Sequence, residues 1–317
     1  MNTTTIPVID IDNLQGPAAL AALDAACREW GFFQVINHGI PDEVIRQVFE
    51  SAQSFFSLPI EAKRAISRTR DNPWGFYDRE LTKNVLDWKQ IYDFGPANGA
   101  GIRPQWPHGM PGFRNSMHAY YRHSERLAYR LLAAISLNLG MSPGYLSRGF
   151  GRQHTSFLRL NYYPVCPHPA TPKGLENPVD GHLGVGQHTD AGALTILLQD
   201  EQPGLEVFHR NEWHIVEPRR DALVINIGDI VQVWSNDRYF AALHRVIASV
   251  DQPRFSIPFF LSPEYRSNYA PLPTMVSAER PARYREINWG EFRERRAAGD
   301  YADYGEEVQI DQYRISA

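Results

Sequence analysis

The stretch GQHTDAGALTIL, residues 186–197, decides how this chain is read. It sets His188 two residues before Asp190, follows them with Gly192, and runs into an apolar, β-branched segment. In a strand, residues two apart share a face, so His188 and Asp190 can converge on one ion while Thr189 faces away. Taken alone, in a chain of eleven histidines, a His-x-Asp pair is more often a turn or capping pair than a metal site. His123 and Glu125 show why: the same spacing recurs there inside a helical pattern, where neighbours two apart splay.

Strand context sharpens the reading downstream. AALHRVIAS (241–249) places His244 in an apolar strand, where an unpaired imidazole is costly to bury. By itself it reads as a satisfied core histidine. With His188 and Asp190 it makes two histidines and one carboxylate on one side of an ion, the facial arrangement used by non-haem Fe(II) oxygenases. In RFSIPFFL (254–261) Arg254 and Ser256 share a face, and a guanidinium beside a hydroxyl can hold a carboxylate; a surface salt bridge is the alternative. FLRLNYYPVCP (157–167) puts Arg159, Asn161 and Tyr163 on one face and Leu158, Leu160 and Tyr162 on the other. That pattern fits a pocket wall with its back to the core, or a solvent-facing edge. Gly192 reads as room for the chain to turn beside the ion.

The surrounding pattern is mainly β with flanking helices. IPVIDI (6–11) and GFFQVIN (31–37) read as strands around a helix at 18–30, and a second helix starts at Pro41. Residues 70–111 read as irregular with short strands, and 112–140 as the longest helix, lying along a sheet and ending at Gly140. From about residue 155 the period becomes strand-like, through TSFLRLNYY, ALTILLQ, LEVFHR, EWHIVEP, ALVINIG, IVQVWSN, LHRVIAS and RFSIPFFL. Some eight strands without interleaved helices predict a sandwich or jelly roll, followed by one more helix at 289–299.

The 317 residues, 43% hydrophobic and 12% aromatic, supply a large core, and a net charge of -4 lacks the basic footprint of a nucleic-acid binder. Two distant cysteines, Cys27 and Cys166, read as buried thiols of a reduced, cytoplasmic protein. MNTTTIPVIDID is not patterned as a secretory signal, and no uncharged apolar run reaches membrane-spanning length. The expectation is a soluble monomer with a small-molecule partner, bound to neither nucleic acid nor membrane.

The ordered set of IPVIDI, REWGFFQVINHGIP, LNYYPVCP, GVGQHTDAGALTILLQD, LHRV and RFSIPFFL resembles the iron and 2-oxoglutarate-dependent oxygenases of the isopenicillin N synthase-like group over nearly the whole chain. The resemblance implies one oxygenase domain over 1–317. Within it, residues 1–150 form a largely helical supporting region, 151–265 a double-stranded β-helix (jelly roll), and 266–317 a C-terminal helix and tail. It further implies Fe(II) on His188, Asp190 and His244. The keto acid end of 2-oxoglutarate would meet the iron, with its far carboxylate on Arg254 and Ser256, Tyr163 helping to hold that end and Asn161 beside the iron. Dioxygen is then the oxidant and ascorbate a supporting reductant. The segment HPATPKGLENPVDGHLGVG (168–186) is longer than the resemblance leads one to expect.

The implied reaction couples decarboxylation of 2-oxoglutarate to succinate with oxidation, by default hydroxylation, of a small molecule. Other readings are an Fe(II) oxidase of the same group that dispenses with 2-oxoglutarate, such as a cyclase or desaturase, and a ligand-binding module without turnover. A structural zinc site fits poorly, since such sites close with four ligands and favour cysteine. For substrate contacts the candidates are Phe259 and Phe260 after the Arg-x-Ser pair, Trp74, Phe76 and Tyr77 in the irregular segment, and Arg159 for an acidic or phenolic group. The aromatics read equally well as core.

Overall fold

The computed structural model describes residues 5–97, 102–172, 174–175, 180–301 and 308–315. The chain opens with β1 (Val8–Asp10), α1 (Pro17–Glu29), β2 (Phe32–Ile36), α2 (Asp42–Phe56) and α3 (Ile60–Arg64). The Pro- and Gly-rich stretch holds β3 (Gly75–Tyr77), β4 (Leu81–Thr82), β5 (Val85–Leu86) and β6 (Gln90–Phe94), before the long α4 (Phe113–Asn138). Next come β7 (Phe157–Tyr163), β8 (Leu183–His188), β9 (Leu194–Gln199), β10 (Leu205–His209), β11 (Glu212–Ile215) and β12 (Ala222–Ile227). A short α5 (Asp229–Trp234) precedes β13 (His244–Ile247) and β14 (Arg254–Leu261). The C-terminal part carries β15 (Asn268–Tyr269), β16 (Ile287–Asn288) and α6 (Trp289–Tyr301).

Local sequence explains the helices. α1 has proline at its start and an Ala-Leu body of high helix propensity. α2 carries Asp42 and Glu43 in its first turn, where they complement the helix dipole, and buries Val48, Ala52, Phe55 and Phe56 from one stripe.

The strands form two sheets, one ordered β1-β2-β12-β9-β14-β7-β6-β3 and the other β11-β10-β13-β8. From β7 onward the chain alternates between them: β7 in the large sheet, β8 in the small, β9 in the large, β10 and β11 in the small, β12 in the large, β13 in the small, β14 in the large. Every pairing within this set is antiparallel. This winding is the double-stranded β-helix, or jelly roll. All six residues of β9 and all six of β12 are buried, because both faces of the large sheet are covered. One face meets α4, where Leu127, Leu131 and Ile135 join Ile196, Ile225 and Ile257 in the main core. The other meets the small sheet, with Leu197 and Val224 packed against Val185, Val207 and Val246.

The first 150 residues, expected as a largely helical support with strands at 6–11 and 31–37, also complete the core sheet: β2 pairs with β12 at one edge and β6 with β7 at the other. Without them both edges would expose unpaired backbone. One expectation is corrected: IVQVWSN is not a strand; its first five residues belong to α5, and the eighth core strand is β8, LGVGQH, which carries two glycines and ends at His188. Tertiary hydrogen bonds override local propensity there. The first amides of α5 are capped by the loop between β8 and β9, Asp229 N–H donating to Asp190 C=O at 2.8 Å and Ile230 N–H to Gly192 C=O at 3.2 Å. Glycine is needed at this crossing, since a Cβ on Gly228 would lie 2.1 Å from the Gly192 carbonyl oxygen. Gly192 itself serves close approach rather than a turn, as a Cβ there would sit 2.8 Å from the Leu261 carbonyl oxygen.

Phe259 is fully buried in the main core and packs edge-to-face on Tyr121, with ring centroids 5.0 Å apart. Phe259→Ala is therefore expected to lower unfolding free energy by about 3–5 kcal/mol, read by denaturant titration. A loss under about 1 kcal/mol would contradict its core placement.

Candidate active site

His188 is the last residue of β8 and His244 the first of β13, and the antiparallel register sets them directly opposite each other. Their ring centroids lie 4.3 Å apart. Each imidazole is oriented by the carbonyl two residues upstream, His188 Nδ1 lying 2.8 Å from Gly186 C=O and His244 Nδ1 2.9 Å from Ala242 C=O. A carbonyl only accepts, so both Nδ1 atoms carry the proton and both Nε2 atoms present a lone pair. Asp190 reaches the same point from the loop just past β8, not from within the strand as its spacing suggested. Its Oδ1 lies 3.6 Å from His188 Nε2 and 3.8 Å from His244 Nε2. Its Oδ2 is held by Asn226 Nδ2 at 2.8 Å and by the Thr195 hydroxyl.

Electrostatics suits this trio to a cation. Burial, followed by the neighbouring His244, pushes the His188 pKa down to about 3, so the ring is neutral. Burial alone would raise the Asp190 carboxyl, but the two histidines and the bonds from Asn226 and Thr195 outweigh it and hold it below its ordinary value. Among the described residues, His188, Asp190 and His244 bring one donor atom each within 4.8 Å of one another. Two imidazole Nε2 atoms and one carboxylate on one side fit a non-haem iron with open positions opposite.

A second polar site lies where β14 pairs with β7, Arg254 opposite Tyr163 and Ser256 opposite Asn161. The Arg254 guanidinium rests over the Tyr163 ring, 5.2 Å from its centroid. Its Nη2 donates to Gln199 Oε1 at 2.8 Å and its Nε to Gln202 C=O at 3.2 Å. Asn161 Nδ2 donates to Ser256 Oγ at 3.2 Å. Among the described residues, the donors Arg254 Nη1 and Gln199 Nε2 and the acceptor Asn161 Oδ1 are buried without a hydrogen-bond partner. Orphaned donors beside a buried cation are what a carboxylate ligand would satisfy, so the residues present fit the far end of 2-oxoglutarate.

Above the metal trio lies a cavity of about 230 Å³. Trp74, Phe157 and Phe260 line one side, Phe157 and Phe260 stacked at 4.6 Å between ring centroids. Of the six expected substrate contacts, Trp74, Phe260 and Arg159 line this cavity. Three expectations are corrected. Phe76 and Phe259 are fully buried in the core. Tyr77 does not line the cavity and instead carries the Arg68 guanidinium 4.0 Å from its ring centroid. Arg159 is engaged by two carboxylates, Nη1 reaching Glu80 Oε2 and Nε reaching Asp93 Oδ1, both at 2.7 Å. Helical His123 and Glu125 form no ligand pair, Glu125 lying 3.2 Å from His154 Nε2 instead. The long segment before β8 falls partly outside the described residues, at 173 and 176–179.

Sequence reasoning missed Thr195, Asn226, Gln199, Glu80, Asp93 and Arg296. A signal existed for Asn226, a lone amide in the apolar run ALVINI. Arg296, on α6, donates through Nη2 to Thr189 C=O at 2.6 Å and through Nη1 to Asp229 Oδ2 at 3.2 Å. The helix that borders the cavity is thereby tied to the peptide between two of the three donors.

Comparison with known proteins agrees with this geometry. Residues 154–263 match the 2OG-Fe(II) oxygenase superfamily, and residues 6–111 the N-terminal region of non-haem dioxygenases in morphine synthesis. The chain is 35% identical to jasmonate-induced oxygenase 1 of Arabidopsis thaliana over 296 residues, 91% of this chain and 71% of that one. It is 35% identical to flavanone 3-dioxygenase 2 of Oryza sativa subsp. japonica over 294 residues, 90% and 82% of the two chains. The crystal structure of JOX2 in complex with 2OG, Fe, and JA superposes with a TM-score of 0.85 at 32% identity, covering 99% of this chain and 90% of that one. No helix among the described residues is long and apolar enough to cross a membrane. The fold, the convergent donor set and these likenesses lead to one conclusion: the chain belongs to the 2OG-Fe(II) oxygenase superfamily and is a non-haem Fe(II)- and 2-oxoglutarate-dependent dioxygenase.

Proposed function

We propose that this dioxygenase oxidises a planar, largely apolar small molecule, with His188, Asp190 and His244 as its iron ligands and Arg254, Ser256, Asn161 and Tyr163 around 2-oxoglutarate. The observation that carries the substrate class is the aromatic wall of Trp74, Phe157 and Phe260, which shares one cavity with His188 and Asp190. Iron with 2-oxoglutarate supplies the oxidising power, releasing succinate and carbon dioxide. The chain's residues supply the rest. Arg254 and Ser256 anchor the cosubstrate by its far carboxylate, which fixes the direction of its reactive end. Phe157, Phe260 and Trp74 stack on a flat ring and exclude water from it. The charge of Arg159 is balanced locally by Glu80 and Asp93, so that wall does not single out an anion. The relative named flavanone 3-dioxygenase supports a flat organic substrate.

Arg296 holds the metal loop from the far side. Removing it would leave Asp229, buried and fully enclosed, without its cation, at a cost of about 3–5 kcal/mol. Arg296→Ala is thus expected to lower the midpoint of denaturant unfolding markedly; an unchanged midpoint would show that the tie carries no weight. Arg254→Leu removes charge-assisted bonds of about 1.5–3 kcal/mol each and should raise KM for 2-oxoglutarate by roughly 10–100-fold or more, in succinate assays at saturating iron with ascorbate present. An unchanged KM would remove Arg254 from the cosubstrate site. A screen of planar aromatic compounds should find ones that raise succinate formation above the uncoupled background. Phe260→Ala should then raise KM for such a compound about tenfold or more. Turnover of aliphatic substrates alone would overturn the proposed class.

A further inference from the structure

We propose that Asp87 is a positioning residue for the metal ligand His188, acting by fixing the main chain at Gly186. This rests on the reading of His188 as an iron ligand. Asp87 follows β5 and is buried, its Oδ1 accepting the Gly186 N–H at 2.9 Å. The carbonyl of that same residue accepts the proton on His188 Nδ1 at 2.8 Å. Gly186 is thus gripped on both sides, by an acidic acceptor on its N–H and by the imidazole on its C=O. These two bonds lie in different peptide groups on either side of the Gly186 Cα, so what they share is the position of that residue. Fixing its N–H therefore fixes where the carbonyl that orients the imidazole stands. A ligating histidine whose second nitrogen is held by a carbonyl is fixed in orientation, and here that carbonyl is itself set by a buried carboxylate.

The far side of Asp87 shows that its position is set deliberately. Its Oδ2 receives the Thr82 hydroxyl at 2.9 Å and the Lys89 ammonium at 3.0 Å. Lys89 also lies 2.7 Å from Glu80 Oε2, and Glu80 holds Arg159 on the cavity wall. All three groups on Asp87 are donors, which a carboxylate satisfies and a neutral acid does not. One bonded array thus runs from the substrate cavity to the back of an iron ligand. A carboxylate serving only as counter-ion to Lys89 would not need its other oxygen on the iron strand.

The test uses the full chain, with Co(II) as an oxygen-stable substitute for Fe(II) and the variants Asp87→Asn and Asp87→Ala. Asparagine keeps the size of the side chain but has one acceptor oxygen, so its NH2 must face either the Gly186 N–H or the donors Lys89 and Thr82, which breaks the two-sided grip with little change in shape. Wild-type protein is expected to bind Co(II). Asp87→Asn should bind it roughly tenfold more weakly, and Asp87→Ala more weakly again. The rise in Tm on adding Co(II) should shrink in step, since that increment reads affinity and a purely structural role would lower only the metal-free Tm. With Fe(II) and 2-oxoglutarate under anaerobic conditions, the visible charge-transfer band of Asp87→Asn should shift from its wild-type position as the imidazole loses its fixed orientation. Folded Asp87→Asn with wild-type Co(II) affinity, Tm increment and band position would overturn the proposal. Failure of wild-type protein to bind Co(II) would overturn the metal site itself, and this inference with it.

Discussion

The structure depends on one register: His188 opposite His244 at the open end of the small sheet. Antiparallel pairing brings two imidazoles to 4.3 Å, a spacing that two protonated rings would resist, and burial removes the water that could screen them. The Nε2 atoms of both rings face one point, because each ring donates its Nδ1–H to the carbonyl two residues before it. The third donor needs more help. Asp190 lies beyond the strand end, and the groups that aim it, Asn226 and Thr195, come from β12 and β9 of the other sheet. The site therefore straddles the sandwich, and its geometry is only as exact as the apolar packing of Val185, Val207 and Val246 against Leu197 and Val224.

Charge is distributed unevenly around that centre. On the cavity wall, the half-buried Arg159 pairs with buried Glu80 and Asp93, and buried Lys89 with Glu80, so the wall is polar but close to neutral. At Arg254 the reverse holds: its partners are an amide and a carbonyl, and one of its terminal nitrogens has no protein partner. Buried cations are stable when matched, and the unmatched one marks where an anionic ligand completes the structure. On the proposed reading, the site separates a place for a dicarboxylate from a place for a flat organic molecule.

Much of this was legible in the chain. The helices at 17–29, 42–56 and 113–138 follow from apolar period and start signals, and most core strands from β-branched runs between turn residues. The trio, Arg254 with Ser256, and Asn161 with Tyr163 emerged from same-face spacing and from an ordered likeness to a known family. What failed failed for physical reasons. IVQVW has strong strand propensity, but the carbonyls of Asp190 and Gly192 cap its amides and make it helical. LGVGQH lacks propensity and is a strand because β13 pairs with it. The aromatics Phe76 and Phe259 could not be told from Trp74 and Phe260 by composition, since adjacent strand residues face opposite sides and only packing decides which side is core.

By itself, then, the sequence determined the kinds of groups available and their spacing along each strand: two histidines, a carboxylate, an arginine beside a serine, and enough alternating apolar residues to bury them. These are local properties, set by backbone period and side-chain chemistry. Only the tertiary structure decided which groups meet. Asn226 and Thr195 lie 36 and 5 residues from Asp190, Asp87 lies 99 from Gly186, and Arg296 lies 107 from Thr189. No local pattern encodes such pairs, because they exist only once two sheets, a hairpin and a terminal helix have packed around one buried point.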